Sequence, residues 1–270
     1  MNDRPVVFIT GASSGIGAEA VAVFAEAGFD VVFSARRKDR LEALAEKLRP
    51  TFPKAQLLPI VCDVTREESV SAAMSVLRER FGKLDALINN AGYGIYGSLE
   101  NTSLESVKAN FETNVFGMLR CTQQALPLLR EAKKQSSKRW GASIVMISSF
   151  VGRRAIPNLS SYSATKFAME AFAESLRVEL WDEGIAVSVV NPGATSTEFF
   201  EAAEGKRPSG FSKPRMTAKT VAGHILRATR KPIRNIYLTA EGRAGLAAQW
   251  LVPSLLDHVM LKKVWRKRHE

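Results

Sequence analysis

The sequence predicts an α/β fold, a doubly wound parallel sheet of about seven strands with helices on both faces, built as a single domain over residues 1–270. Three observations predict it. Short β-branched and aromatic runs recur along the chain, each followed by a helical pattern of one to two dozen residues. The first run, Val6-Val7-Phe8-Ile9, shows no polar alternation, as a strand covered on both faces requires. The side chains suited to chemistry cluster at the carboxyl ends of these runs, where open α/β sheets bind their ligands.

Val6 to Ile9 leads into Thr10-Gly11-Ala12-Ser13-Ser14-Gly15-Ile16-Gly17, and a helical pattern (Ala20, Val21, Phe24, Ala25) then runs to Gly28, which suits a helix C-terminus. Strand, glycine loop and helix N-terminus together make a phosphate site. Backbone N–H groups and the helix dipole face the anion, and missing side chains let it approach. Glycines at 11, 15 and 17 depart from the general G-x-G-x-x-G spacing. Val31 to Ser34 is the second strand, and Ala35 then precedes Arg36, Arg37 and Lys38. A carboxylate at this strand end would bind ribose hydroxyls and repel a 2′-phosphate, whereas arginine does the reverse. The reading is therefore NADP(H) over NAD(H), with a solvated start to the helix of Leu41, Leu44 and Leu48 as the plainer alternative.

Gln56 to Val61 is the third strand and closes with Cys62-Asp63-Val64; its helix (Val70, Ala73, Met74, Leu77, Phe81) stops at Gly82. Leu84 to Ile88 is the fourth and leads into Asn89-Asn90-Ala91-Gly92. One long helix is expected from Leu104 to Leu129, carrying Asn114 near its middle, where asparagine is mildly unfavourable and commonly faces solvent. Residues 131–140 read as an exposed basic loop. The strand Ala142 to Ile147 ends in Ser148-Ser149, and Tyr162-Ser163-Ala164-Thr165-Lys166 opens a helix running toward Gly184. Ile185 to Val190 ends in Asn191-Pro192-Gly193; residues 194–216 form a substrate loop or lid. Thr217 caps a helix through Arg230, Asn235 to Thr239 is the seventh strand, and 240–270 is a basic C-terminal extension.

Tyr162 and Lys166 lie one helical turn apart on the same face. An ammonium beside a phenol favours the phenolate, which makes the tyrosine usable as a proton donor and acceptor nearer neutrality. The net charge is +11 and the hydrophobic fraction 46%. The charge is uneven, since residues 205–270 hold 15 Lys+Arg against 3 Asp+Glu. No run of 18 apolar residues occurs, and residues 1–9 do not resemble a signal peptide. Cys62 and Cys121 form no C-x-x-C, which fits a reducing, cytoplasmic setting with free thiols. No metal-ligand spacing stands out. The basic residues lack interleaved stacking aromatics, so nucleic-acid binding is not expected.

Taken together these motifs resemble the short-chain dehydrogenase/reductase family, over roughly Val6 to Thr239. Thr10 to Gly17 is similar to the family's T-G-x-x-x-G-x-G loop, Asn89 to Gly92 to its N-N-A-G segment, and Pro192-Gly193 with Thr197 to its P-G motif near the nicotinamide. Asn114, Ser149, Tyr162 and Lys166 fall where the family has its catalytic tetrad; Ser149 is preferred to Ser148 because it precedes the tyrosine by thirteen positions. The resemblance implies a Rossmann-like fold and hydride transfer between NADP(H) and a carbonyl or secondary alcohol, acting on CH–OH groups. Tyr162 would be the general acid/base, and Lys166 would lower its pKa and hold the nicotinamide ribose. Ser149 would stabilise the substrate oxygen, and Asn114 would hold a proton-relay water. Cofactor contacts are expected from Gly11, Ser13, Ser14, Gly15, Ile16, Gly17, Arg36, Arg37, Asp63, Val64, Asn90, Ala91, Gly92, Tyr162, Lys166, Pro192, Gly193, Thr195 and Thr197. The alternative is a non-catalytic NADP(H)-binding regulatory protein on the same fold.

The segment Tyr93 to Gly97, the stretch Arg153 to Leu159 and residues 194–216 should line a pocket with few charged anchors, favouring a lipophilic substrate, steroid-like or long-chain. A homodimer or homotetramer is expected. Leu255, Leu256, Val259 and Met260 form an apolar stripe before Lys262, Lys263, Arg266, Lys267 and Arg268. Two readings stand for it: a helix packed near the substrate entrance or a subunit interface, and weak peripheral contact of residues 254–270 with an anionic membrane.

Overall fold

The strands Val6–Thr10 (β1), Asp30–Ala35 (β2), Leu57–Val61 (β3), Ala86–Asn89 (β4), Ala142–Ile147 (β5), Ile185–Asn191 (β6) and Asn235–Tyr237 (β7) form one parallel sheet, in the order β3-β2-β1-β4-β5-β6-β7. This computed structural model describes residues 4–199, 203–205, 216–239, 248–249 and 251–265. Register places Val6 beside Asp30 and Val7 beside Ala86 and Val31. The order reverses between β1 and β4, and at that point the crossovers diverge and open a crevice beyond the strand ends.

Successive side chains of a strand face opposite sides, so each strand feeds two cores. Val7, Ile9, Val31 and Phe33 pack with Phe24, Leu41 and Ile225 from Gly15–Glu26 (α1), Lys38–Leu48 (α2) and a later helix, Ala218–Arg230. Phe8, Val32, Leu87 and Ile144 pack on the other face with Leu77, Leu128 and Met169 from Glu67–Phe81 (α3), Gly117–Lys134 (α5) and Ser160–Glu179 (α6); Leu104–Phe111 is α4. Phe8 has no exposed surface, so Phe8→Ala would cost about 3–5 kcal/mol. The fold is the doubly wound, Rossmann-like sheet that the alternating pattern predicts.

Four local expectations change. The helix expected over 104–129 is α4 and α5 joined by a π-helical turn, Glu112–Phe116, and it continues to Lys134. Its apolar positions (Cys121, Ala125, Leu128, Leu129, Ala132) keep a helical period beyond Leu129, so the connecting loop begins later than residue 131. In that loop Trp140 packs edge-on to Trp181 at 5.0 Å, with Arg139 stacked over both rings. The Tyr162 helix ends at Glu179; Gly184 instead makes a left-handed turn (φ 64°) before β6. The seventh strand stops at Tyr237. Of the loop 194–216 and the extension 240–270, residues 200–202, 206–215, 240–247, 250 and 266–270 lie outside the described residues. No described helix is long and apolar enough to cross a membrane.

Candidate active site

The glycine loop joins β1 to α1, and its shape follows from what surrounds each glycine. Gly11 and Gly15 take left-handed backbone (φ 68° and 57°), which costs other residues energy. Gly17 sits so near Gly11 O, Asn90 Nδ2 and Ala12 Cα that no side chain fits. It supports the loop from behind and does not itself line the cleft. Ser14 precedes α1 without a capping side-chain hydrogen bond, and the first turn carries no acid. The leading N–H groups of α1 therefore face the cleft as anion donors.

β4 is tied to this loop by two side chains. Asn90 Nδ2 donates to Thr10 O (2.9 Å) and Gly11 O (3.0 Å), and Thr10 Oγ1 accepts from Asn90 N and Ala91 N (both 3.1 Å). At the end of β2, Arg37 donates to Ser13 Oγ (2.9 Å) and Ser14 Oγ (3.3 Å). Burial alone would raise the Asp63 pKa, but hydrogen bonds from Thr65 and the charges of Arg36 and Arg66 outweigh it and bring the carboxyl below its ordinary value.

The catalytic end lies across the sheet. Tyr162 is buried in the first turns of α6, with Ser149 at the end of β5 near enough to its hydroxyl to lower its pKa. Ser148 turns the other way, toward Glu170 and the space behind Gly152. This geometry agrees with the choice of Ser149 made on its spacing from Tyr162. Lys166 is buried one turn on, its Nζ 5.6 Å from the Tyr162 ring centre and donating to Ile147 O at 2.8 Å. Burial pushes the Lys166 pKa down to about 8, with Glu170 opposing. The expected lowering of the Tyr162 pKa by Lys166 is not the net direction here. Burial raises it, Ser149 opposes and Tyr96 adds to the rise, because desolvating a phenolate costs more than these partners return.

Asn114 has no exposed surface, unlike the usual mid-helix asparagine, and it lies in the π-helical turn. Its Oδ1 accepts from Tyr93 N (3.0 Å), and its Nδ2 donates to Tyr93 O (3.0 Å) and Thr165 Oγ1 (3.1 Å). It lies behind Gly92 and braces the wall beside Lys166 without lining the cleft.

All the other expected residues line one cleft of about 1170 Å³. Its cofactor end includes Ser13, Ser14, Ile16, Arg36, Val64, Gly92, Pro192 and Gly193, together with Thr195, whose Oγ1 donates to Gly193 O (3.0 Å), and Thr197, packed against Gly15. The far end is apolar: Tyr96, Val151, Leu159 and Tyr162 pack with Ile156 and Phe199. The Phe199 ring stands 5.5 Å from that of Tyr162. The helix Pro253–Met260 brings Met260 to the cleft and is held by Arg154, which contacts Asp257 and Gln249 at 2.6 Å each. Of the apolar stripe only Met260 lines the cleft, and Leu255 is exposed. Motif reasoning missed Arg40 and Glu198, which pair across the cleft rim, and Glu170 with its partner Arg153. None of these has a short-range signal. An uncapped helix start, a loop with no room for side chains and arginines beyond β2 fit a nicotinamide dinucleotide.

The short chain dehydrogenase family model matches residues 5–207. Among curated relatives, mouse (Mus musculus) dehydrogenase/reductase SDR family member 7B is 31% identical over 272 residues, covering 97% of this chain and 82% of its own length. Human (Homo sapiens) retinol dehydrogenase 8 is 38% identical over 207 residues, covering 74% of this chain and 60% of its own. Among solved structures, a short-chain dehydrogenase from Sphingobium yanoikuyae in complex with NADPH is 29% identical, covers 96% of each chain and superposes with a TM-score of 0.77. With the parallel sheet order agreeing with that match, this chain belongs to the short-chain dehydrogenase family.

Proposed function

We propose that this oxidoreductase transfers a hydride between NADP(H) and a lipophilic carbonyl compound or secondary alcohol, steroid-like or long-chain. One observation carries the reading: Tyr162, near Ser149 and one turn from Lys166, sits where the polar end of the cleft meets its apolar end. The bound nicotinamide would supply or accept the hydride. Tyr162 would give its proton to the substrate oxygen in reduction and take one back in oxidation. Its raised pKa keeps the phenol protonated near neutrality, the form that reduction needs. The Ser149 hydroxyl would donate to the substrate oxygen as negative charge grows there. Lys166 would hold ribose hydroxyls and exchange protons near neutrality, and the Asn114 wall would keep its amine in place beside a relay water.

Preference for NADP(H) is supported by Ala35, which leaves no carboxylate at the end of β2, by Arg37, which reaches Ser13 and Ser14, and by Arg36, which lines the same cleft. The NADPH complex of the Sphingobium relative is consistent with it. A lipophilic substrate is supported by the aromatic and aliphatic far end, and by a relative named for retinol. Phe116, Phe167 and Phe172 remain exposed around α5 and α6, which supports self-association; gel filtration with light scattering tests it. Leu251, Leu255 and Lys262, all exposed in the C-terminal segment, support weak contact with an anionic membrane. The decisive experiment is a carbonyl panel with NADPH and NADH, run on the parent and on Tyr162→Phe. The variant should bind cofactor as the parent does and lose at least a hundredfold in turnover, about the smallest contribution of a general acid. Parental turnover in the variant would sink the mechanism.

A further inference from the structure

We propose that Glu198 sets how strongly this protein accepts a 2′-phosphate, because its carboxylate competes for the guanidiniums that would hold that group. The inference rests on reading the cleft as an NADP(H) site. Glu198 lies 158 residues from Arg40 in the chain, yet its Oε2 is 2.5 Å from Arg40 Nη1 and 3.9 Å from Arg37 Nη1. Arg37 and Glu198 both line the cleft. Arg37 also reaches Ser13 and Ser14, so its guanidinium lies between the glycine loop and the Glu198 carboxylate. The backbone that carries Glu198 is held over the same loop, since the preceding residue, Thr197, packs on Gly15. Arg36 lines the same cleft and also lowers the Asp63 carboxyl at the end of β3, and no contact ties it to Glu198 among the described residues.

A guanidinium fork binds carboxylate and phosphate through the same N–H donors. A phosphate arriving beside Ser13 and Arg37 must therefore displace Glu198 or lie beside an uncompensated like charge. A cofactor with a free 2′-hydroxyl makes no such demand. Glu198 thus opposes NADP(H) selectively, narrowing a preference that the arginines alone would make wider. The carboxylate and Arg40 are each close to half exposed, at 46% and 41%, so the effect belongs with screened surface pairs.

The test is equilibrium binding, by calorimetry and by nicotinamide fluorescence, of the parent and Glu198→Gln with NADPH, NADH, 2′,5′-ADP and 5′-AMP. The variant should bind NADPH and 2′,5′-ADP about two- to fivefold more tightly, with NADH and 5′-AMP unchanged, and the gain should shrink in high salt. Equal tightening of all four ligands, or of none, overturns the proposal. The underlying reading fails separately. If the parent prefers NADPH and the variant leaves the ratio unchanged, the role of Glu198 falls while the NADP(H) site stands. If neither protein distinguishes NADPH from NADH, both fall. If only the variant prefers NADPH, the competition is supported.

Discussion

Replacing Gly17 by alanine should damage this protein, although Gly17 belongs to a helix, where alanine is the better residue by about 1 kcal/mol. An added Cβ would stand 2.6 Å from Asn90 Nδ2 and 2.9 Å from Ala12 Cα, and closer still to Gly11 O. Two of these three are backbone atoms and cannot rotate away; the third is the amide that ties β4 to the glycine loop. The loop must therefore shift by several tenths of an ångström. Overpacking of this kind typically costs about 1–3 kcal/mol, and after the gain in helix propensity of about 1 kcal/mol a net loss of up to about 2 kcal/mol remains. At its upper end that loss lowers Tm by about 4–8 °C for a chain of this size. Moving the loop also misaligns N–H donors meant for a pyrophosphate. Losing one charge-assisted hydrogen bond, about 1.5–3 kcal/mol, weakens cofactor binding about tenfold or more. Gly223→Ala is the matched control. It lies in the helix Ala218–Arg230, exposed, with nothing within 4 Å of the added carbon, so it should raise stability by about 0.5–1 kcal/mol and leave binding alone. Differential scanning fluorimetry and calorimetric titration with NADPH read both effects. A Gly17→Ala protein with parental Tm and Kd would refute the packing account, and so would a Gly223→Ala protein with weakened binding.

Arg37→Ala removes the guanidinium that bridges Ser13 and Ser14 and should weaken NADPH binding about tenfold or more while sparing NADH, so an unchanged ratio of dissociation constants would count against the 2′-phosphate assignment. Lys166 titrates near 8 in the folded protein against an ordinary 10.5, so between those values the unfolded chain holds a proton that the native one has lost, and stability rises with pH across that window. Relative to Lys166→Met, the parent should gain about 2 kcal/mol between pH 8 and pH 10 in urea denaturation; parallel curves would show that the amine is not desolvated as described. Association with the membrane should appear as sedimentation with anionic but not neutral vesicles, salt-sensitive and lost on deleting residues 254–270, and indifference to vesicle charge would leave the C-terminal helix a purely structural element.

The sequence by itself determined the alternation of strands and helices, the glycine loop, and a tyrosine and lysine one helical turn apart. Each is written in spacings of two to four residues, where backbone geometry alone dictates which side chains share a face. It also placed Arg36 and Arg37 at a strand end, because the hydrophobic run of β2 stops just before them. Tertiary structure decided what depended on distance and on solvent. Ser149, chosen on its spacing, lies near Tyr162 while Ser148 turns toward Glu170 because of how the chain turns after β5. Asn114 is buried and lies in a single π-helical turn, and no local propensity marks such a turn. The tyrosine's pKa rises although a lysine lies nearby, since burial is a property of the assembled core and not of a five-residue motif. The pairing of Glu198 with Arg40 spans 158 residues, and only the winding of the sheet brings these two charges to one rim.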